Sequence, residues 1–287
     1  MALSARAIAS EKANDNLHIW KAVGDLYHPL DNPDGFATLG VSENTLMAKE
    51  LSEHLHTHFR LPNHAFTYGD GMTGTKRIKA AMATFLNRHL QPTLPLEPAH
   101  FTITNGCSSA VEHLAWAIAD PGDVFLLGRP YYNTFVPDLV LRTGCKVVAV
   151  DFEEIDPLGL EAVGRYEIVL KEAITKGQRV AGLIISNPHN PLGRCYTPST
   201  LLGLMNLCAK YGMHFVSDEV YALSVWENKV DTSPEPCRSY RALRFLKAMP
   251  YHRTGHMPFG ACPKTLAQTG CGLVRSFLRQ TLDYMQL

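Results

Sequence analysis

Two segments of the sequence decide the fold: GLIISNPHNPLGR, residues 182–194, and HFVSDEVY, residues 214–221. Each begins with a short apolar run typical of a buried strand and continues into polar residues. Between them, LLGLMNLCAKYG carries apolar residues at helical spacing. The order strand, helix, strand predicts neighbouring parallel strands in an α/β fold.

The same alternation extends from residue 75 to residue 220. TKRIKAAMATFLNRH and SSAVEHLAWAIAD have helical spacing, whereas VFLLG and KVVAV are short buried-strand candidates. We therefore predict a mainly parallel sheet with helices on both faces, and a ligand site beyond the carboxyl ends of its strands.

After Trp226 the alternation stops, and no sustained period precedes a short helix candidate near SFLRQTLDYMQL. This change in composition marks a boundary. We predict an N-terminal arm over residues 1–45, a large domain over 46–230, and a poorly ordered tail over 231–287.

The composition narrows the classes of partner. The chain has 287 residues, 46% of them hydrophobic, and a formal net charge of zero, so nothing points to nucleic acid or an anionic membrane. Seven cysteines without a CxxC pair argue against a disulfide framework or a zinc ribbon. With no long apolar segment, the sequence predicts a cytoplasmic protein that acts on a small molecule.

Two further patterns have ordinary explanations. Gly69–Gly74 matches GxGxxG, but a dinucleotide site also needs a buried strand before it and an acidic residue about 20 positions later. A nicotinamide-dependent oxidoreductase would rest on this match alone. His54, His56 and His58 alternate within a predicted helix, where they do not share a face, so we expect solvated surface histidines.

The segment ITNGCSSAVEHLAWAIA leads from a strand-like run into a helix. The first turn of that helix offers free N–H groups, a positive dipole end and the Ser108 hydroxyl to an anion such as phosphate. The alternative is that Ser108 only caps the helix.

Asp218 ends a predicted buried strand, where a carboxylate is costly unless it meets a cation. Asn190 and Tyr221 lie near the ends of the two strands and suit a phenolic oxygen. Structural explanations remain, since Asn-Pro steps form turns and a strand-end Asp can cap a helix.

Taken together, SNPHNPLGR, SDEVY, NGCSSAVE, ADPGD and PYY resemble the class I/II aminotransferases of pyridoxal-phosphate fold type I. The subgroup that this chain most resembles is the 1-aminocyclopropane-1-carboxylate synthase-like proteins, which SENTL also suggests. The resemblance runs from about residue 20 to about residue 231. It implies the large domain of that fold, pyridoxal 5′-phosphate as cofactor, an amino acid substrate, transamination or elimination, and a homodimer.

The resemblance also implies roles for individual residues. Asp218 would pair with the pyridinium nitrogen of the cofactor, and Asn190 and Tyr221 would bind the ring hydroxyl oxygen. Tyr132 would stack on the ring. Glu43 and Asn44 would lie near the substrate. The phosphate would be held at the helix start by Gly106, Cys107 and Ser108.

Two parts of the family pattern are missing: the Ser-Lys pair followed by Gly-x-Arg-x-Gly, and the C-terminal small domain. Lys264 is the candidate lysine by its distance after Tyr221, although it stands in CPKTL. We therefore predict an impaired enzyme. The alternative is a non-catalytic relative that at most binds the cofactor or dimerises.

The segment FGACPKTLAQTGCG, residues 259–272, suggests an origin for the tail. If each triplet takes the last base of one codon and the first two of the next, permitted codons spell W-G-M-S-K-D-F-G-A-N-G-V-R. This contains the missing Ser-Lys and Gly-x-Arg in order. We hypothesise a frameshift or misassigned splice site between about residues 231 and 256.

Overall fold

The computed structural model describes residues 3–14, 22–38, 40, 44, 46–225, 265–268 and 273–275. The chain divides into two compact units, residues 1–67 and 68–287. The described part of the first unit includes the helices α1, Ala5–Asn14, and α2, Ala48–His58. A 3-10 turn follows at Asn63–Phe66. No residue of α2 is buried.

The helices of the second unit cover the part of the sequence with helical spacing. Two of them begin with a threonine cap: Thr75 Oγ1 accepts a hydrogen bond from the N–H of Ile78 at 3.3 Å, and Thr197 Oγ1 accepts one from Thr200 at 3.2 Å. The helices are α3 Lys76–Leu90, α4 Gly106–Ile118, α5 Phe135–Val140, α6 Ala162–Thr175 and α7 Pro198–Tyr211.

The main sheet is parallel throughout its described strands, which pair in the order β3-β2-β4-β5-β6. A second sheet pairs β1 with β7 antiparallel. The strands are β1 Phe101–Ile103, β2 Val124–Gly128, β3 Lys146–Val150, β4 Val180–Ser186, β5 His214–Asp218, β6 Thr265–Gln268 and β7 Leu273–Arg275.

Apolar side chains of the sheet are buried on both faces. Along β2, Leu126 packs in a cluster with residues of α6 and α7, whereas its neighbour Phe125 packs with residues of α4 and α5. Successive strand residues point to opposite faces, so an unbroken apolar strand requires helices on both sides. The predicted α/β fold with a mainly parallel sheet is confirmed.

The structure differs from the sequence analysis after residue 226. The sequence predicts no element between Trp226 and the helix candidate near residues 276–287, yet β6 and β7 lie there. β6 pairs with the edge of β5, whose backbone groups require partners. Runs of four and three residues are too short to show a period, which is why the pattern missed them. The helix predicted near residues 276–287 lies outside the described residues, and the three domain boundaries stay predictions.

The structure also bears on the GxGxxG segment and on the three alternating histidines. The residues before Gly69 form a 3-10 turn at Asn63–Phe66 instead of a strand, which removes the support that a dinucleotide site would need. His54 and His58 lie on α2 with their ring centroids 4.1 Å apart. Among the described residues, no group of three metal-ligating side chains could hold a metal ion, and no helix is long and apolar enough to cross a membrane.

Candidate active site

The carboxyl ends of β4 and β5 lie side by side. Ser186 and Asp218 are partners in the strand register. The N–H of Asn187 donates to the carbonyl oxygen of Asp218 at 2.8 Å, and its side-chain Oδ1 accepts from the N–H of Tyr196 at 3.2 Å. The backbone of Asn187 therefore links the two strand ends, and its side chain holds the loop after β4.

The loop after β4 is held in shape by Ser186. Its Oγ accepts a hydrogen bond from the N–H of Asn190 at 2.9 Å and donates to the carbonyl of Pro188 at 3.0 Å. These bonds leave the half-buried Asn190 side chain at the strand end. The sequence analysis missed Ser186, although its position directly before the first Asn-Pro step was a usable signal.

His189 is a second residue that the sequence analysis missed. Its ring is buried, and Nδ1 accepts from the N–H of Leu192 at 3.4 Å. Burial, followed by the positive charge of Arg194, lowers the pKa of His189 to about 4. The imidazole is therefore neutral near pH 7 and acts as an acceptor that fixes the loop.

The start of α4 lies at the same end of the sheet as Asp218. Gly106 begins the helix with φ +84°, a backbone conformation that favours glycine. The residue in the cap position is Asn105, which makes no side-chain cap bond, so Ser108 lies inside the first turn. Ser108 is therefore not the cap residue of this helix, and the alternative that it only caps the helix is wrong.

Cys107 connects this helix start to Asp218. Its Sγ donates to Asp218 Oδ2 at 3.9 Å, while the N–H of Val220 donates to Oδ1 at 3.0 Å. Burial, together with the negative charges of Asp218 and Asp138, raises the pKa of Cys107 to about 12. The thiol therefore keeps its proton and remains a donor.

The Asp218 carboxyl is 5% exposed, and burial raises its pKa to about 6, against the lowering effect of its two hydrogen bonds. In the described part of the chain it forms no salt bridge. A buried carboxyl in this state favours a cationic partner that carries an N–H donor.

Tyr132 and Asn190 line one cleft, together with Ser186, His189 and Tyr196. The Tyr132 ring is 37% exposed and meets Phe135 edge-on, with ring centroids 5.4 Å apart. The contact with Phe135 holds the tyrosine ring, while the side chain stays accessible to a flat ligand.

Tyr221 follows β5 in the turn after Asp218, where it is half-buried. Asn44 lies in the first unit, with its Oδ1 accepting from the N–H of Met47 at 3.2 Å. Glu43 and Lys264 lie outside the described residues.

The register of β6 bears on the missing lysine. Thr265, which follows Lys264 in the chain, is the partner of Phe215, and Gln268 is the partner of Asp218. The residue of β6 beside Asp218 is therefore a glutamine. The first residue of β6, Thr265, lies toward the other end of the strands.

The fold is that of the large domain of pyridoxal-phosphate enzymes of fold type I. A sequence model described as aminotransferase class I and II matches residues 37–255, and the chain belongs to that family. The match extends beyond residue 231, where the resemblance in the sequence was expected to end. Members of the family use pyridoxal 5′-phosphate.

Relatives place the chain near one branch of the family. It is 31% identical over 243 residues to 1-aminocyclopropane-1-carboxylate synthase 6 of Oryza sativa subsp. japonica, covering 78% of this chain and 44% of the relative. It is 30% identical over 242 residues to the Mus musculus protein named "Probable inactive 1-aminocyclopropane-1-carboxylate synthase-like protein 2", covering 82% and 40%. The chain thus spans less than half the length of these two relatives.

The fold has a counterpart in a solved structure. The Saccharomyces cerevisiae protein Bna3p superimposes with a TM-score of 0.64 at 18% identity, covering 99% of this chain and 64% of that protein. At this level of identity the likeness shows the fold alone. The predicted resemblance to class I/II aminotransferases and to 1-aminocyclopropane-1-carboxylate synthase-like proteins is confirmed.

Proposed function

We propose that the site at the ends of β4 and β5 binds pyridoxal 5′-phosphate, and that the complete form of the protein transforms an amino acid by transamination or elimination. The observation that carries the proposal is Asp218, a buried carboxyl with a raised pKa and no salt bridge in the described chain. Family membership supplies the cofactor for which such a carboxyl is suited.

The residues present fit the two charged ends of this cofactor. A protonated ring nitrogen is a cation with one N–H donor, and it would give Asp218 the partner that burial demands. The start of α4 offers Ser108 and first-turn N–H groups to a phosphate. The contact between Cys107 and Asp218 places these two elements next to each other.

The other predicted residues have separate tasks. Tyr132 offers an accessible ring to stack on the cofactor, and Asn190 and Tyr221 would hydrogen-bond its ring hydroxyl oxygen. When bound, the cofactor supplies an electron sink for charge that develops on the substrate. Asp218, as a carboxylate, would keep the ring nitrogen protonated. Glu43 and Asn44 stay proposed substrate-side residues.

We infer that this chain has little or no turnover. The printed sequence has no Ser-Lys pair to form the covalent link to the cofactor, and stacking and phosphate contacts do not replace a covalent bond. The alternative is a non-catalytic relative that binds cofactor or dimerises, and it is also based on the missing Ser-Lys pair. A mouse relative carries the word "inactive" in its name.

We also propose a cytoplasmic homodimer. Along α2 and its flanks, Met47, Leu51, Leu55 and Phe59 recur every four residues, and all four are exposed within their unit. Four apolar side chains on one helical stripe favour burial against another surface. A second copy of the chain would provide one, as expected for this family. Sedimentation at several concentrations tests this.

Titration with pyridoxal 5′-phosphate tests cofactor binding. We expect a saturable change in cofactor absorbance with the native chain, and a loss of at least tenfold in affinity with Asp218→Asn, since a neutral amide cannot neutralise the ring nitrogen. Asp151→Asn is the matched control, because Asp151 is exposed and pairs with Arg129. Absence of saturable binding by the native chain would reject the proposal.

A second measurement separates an enzyme from a binding protein. The loaded chain is incubated with a panel of amino acids, and both keto acid and elimination products are followed. Borohydride treatment followed by mass spectrometry tests for a covalent adduct. We expect cofactor binding without adduct or product. Sustained turnover would show instead that the chain is a complete catalyst.

A further inference from the structure

His189 is buried next to the proposed cofactor site, and the loop already uses one of its two ring nitrogens. The residue is 5% exposed. The N–H of Leu192 donates to Nδ1 at 3.4 Å, and the backbone N–H of His189 donates to the carbonyl of Arg194 at 2.7 Å. These two bonds close the turn after β4 and hold the imidazole ring in place.

The other ring nitrogen, Nε2, is a donor. A ring nitrogen that accepts a hydrogen bond carries no proton, so the proton of this imidazole is on Nε2. Within the described residues the Nε2–H group makes no hydrogen bond. Nε2 is also not among the fully enclosed polar atoms that lack a partner, so it keeps access to open space. A donor on a buried side chain favours an acceptor from a ligand or from water.

The open space beside His189 is the cleft that the proposed cofactor would enter. Residues from the end of β2 and from the loop after β4 line it, among them Gly128, Tyr132, His189 and Asn190. Tyr132 is the proposed stacking residue. Asn190, which follows His189 in the chain, is the proposed partner of the ring hydroxyl oxygen. A ligand placed by these two residues would therefore have acceptor atoms close to His189.

We propose that His189 is a ligand-binding residue of this cleft, and that its Nε2–H group donates to an anionic oxygen of the bound ligand. Two oxygens have this chemistry: the ionised ring hydroxyl of the cofactor and the carboxylate of an amino acid. This inference rests on the proposed function. The Nδ1 atom keeps its separate structural task, so one ring nitrogen holds the loop and the other binds the ligand.

His189→Asn and His189→Gln separate these two tasks. The side-chain oxygen of asparagine takes the place of Nδ1, so the first variant keeps an acceptor for the Leu192 N–H and loses the donor at Nε2. The side-chain nitrogen of glutamine reaches the place of Nε2, so the second variant keeps the donor and loses the acceptor for the loop. His89→Asn is the control, because His89 is an exposed histidine near the end of α3.

Four probes identify the oxygen. Pyridoxal 5′-phosphate is compared with its 3-deoxy analogue, which lacks the ring hydroxyl. Pyridoxamine 5′-phosphate is compared with N-(5′-phosphopyridoxyl)-L-alanine, which adds the carboxylate. If the ring oxygen is the acceptor, His189→Asn should lose affinity for pyridoxal 5′-phosphate and not for the 3-deoxy analogue. If the carboxylate is the acceptor, the loss should appear with the alanine adduct and not with pyridoxamine 5′-phosphate.

We expect His189→Asn to bind the probe that carries the acceptor at least tenfold more weakly than the native chain, because hydrogen bonds to ionised groups are strong. His189→Gln should stay within threefold of the native affinity, and His89→Asn within twofold for every probe. Urea unfolding should give the reverse order: the midpoint of His189→Asn should match that of the native chain, and the midpoint of His189→Gln should be lower.

The outcomes separate this inference from the proposed function. If the native chain binds pyridoxal 5′-phosphate and His189→Asn binds all four probes as tightly, His189 serves the loop alone, the inference is wrong and the cofactor site stands. Equal losses with His189→Asn and His189→Gln, or the same loss for all four probes, would also overturn it, since a disturbed loop would explain them. If the native chain binds none of the probes, the proposed function fails and this inference fails with it.

Discussion

Burial of the Asp218 carboxyl is unfavourable for the folded protein, but the same buried carboxyl suits a cationic ligand. Its carboxyl is almost fully buried, with hydrogen bonds from Val220 and Cys107 but no salt bridge in the described chain. Burial alone disfavours the charge, which is why the pKa rises to about 6. A residue that destabilises the protein by itself and fits a cationic ligand is expected at a functional site.

Asp218→Asn should therefore stabilise the cofactor-free chain above pH 6. Because the folded pKa exceeds its ordinary value of 3.8, the stability from the protonated carboxyl is complete below pH 4 and is lost as the pH rises through about 6. A rise in the pKa from 3.8 to about 6 corresponds to about 3 kcal/mol at pH 8. Urea unfolding of both proteins from pH 4 to pH 8 measures the difference.

Asp156→Asn is the control with the opposite sign. The side-chain hydrogen bond from Arg194 lowers the pKa of Asp156, so its charge stabilises the fold above the ordinary pKa. This variant should lose stability near neutral pH, where Asp218→Asn gains it. Parallel pH profiles for the native chain and Asp218→Asn would contradict the assignment of a raised pKa to Asp218.

Ser186→Ala should weaken cofactor binding through the loop after β4. The substitution removes the acceptor for the Asn190 N–H, a bond of 2.9 Å, and frees the loop that presents the Asn190 side chain. A net hydrogen bond of about 1 kcal/mol predicts a fall of about fivefold in affinity for pyridoxal 5′-phosphate. Ser199→Ala, at an exposed serine hydrogen-bonded to Thr197, should leave the affinity unchanged.

At the scale of single residues, the sequence predicted those site residues that can be recognised from their neighbours in the chain. A carboxyl at an apolar strand end and a serine after a strand-to-helix turn could be recognised from their neighbours, as Asp218 and Ser108 were. The contact between Cys107 and Asp218 could not be recognised in this way, because it joins residues that are 111 positions apart in the sequence.

The helices and strands of the second unit follow local rules wherever their signals are long enough. β4 is buried along its whole length, and the uninterrupted run GLIIS predicted its last five residues. α4 and α6 cover opposite faces of the sheet, as the alternation of helix and strand requires. β6 is set by pairing with the edge of β5, a tertiary effect that four residues cannot show in advance.

A pair of glycine substitutions tests how α4 begins. Gly106 has φ +84°, so Gly106→Ala should cost about 1–2 kcal/mol and displace the start of the helix. Gly164 lies within α6 at an ordinary negative φ, with nothing within 4 Å of an added Cβ, so Gly164→Ala should gain up to about 1 kcal/mol. Thermal unfolding of both variants measures the contrast, and equal shifts would refute the backbone argument.

At the scale of the whole molecule, the comparison with relatives agrees with the missing motif. The chain covers 44% of the rice synthase and 40% of the mouse protein, and its family match ends at residue 255. The sheet end beside Asp218 is bordered by Gln268 on β6. In the proposed cofactor site, the described chain would provide the phosphate and ring-nitrogen sides, and the β6 residue beside Asp218 is a glutamine and not a lysine.

Lys264→Ala should have no effect on cofactor binding or on any residual activity. Thr265, the next residue, lies opposite Phe215 on the sheet, three strand residues away from the level of Asp218, or on the order of 10 Å. The measurement is the affinity for pyridoxal 5′-phosphate and the product yield of native and substituted chains, with Lys176→Ala as a second lysine control. Turnover that disappears only with Lys264→Ala would show that this lysine serves the cofactor.

The coding sequence gives the last test, because it decides whether residues 259–272 arose from a family motif. In the alternative frame, the printed residues nearly fix the second and third bases of each triplet, and permitted codons still spell Ser-Lys, followed by Gly-Val-Arg. A random segment would seldom place both missing motifs in the family's order. We expect the transcript to join the codons of Pro263 and Lys264 as AAA in that frame, with the shift lying between about residues 231 and 256. A protein translated from the restored frame should bind pyridoxal 5′-phosphate covalently and turn over an amino acid, whereas the printed chain should not. If those codons do not read as lysine, or if no long open frame continues beyond them, the hypothesis is rejected, and β6 and β7 belong to a tail with its own origin.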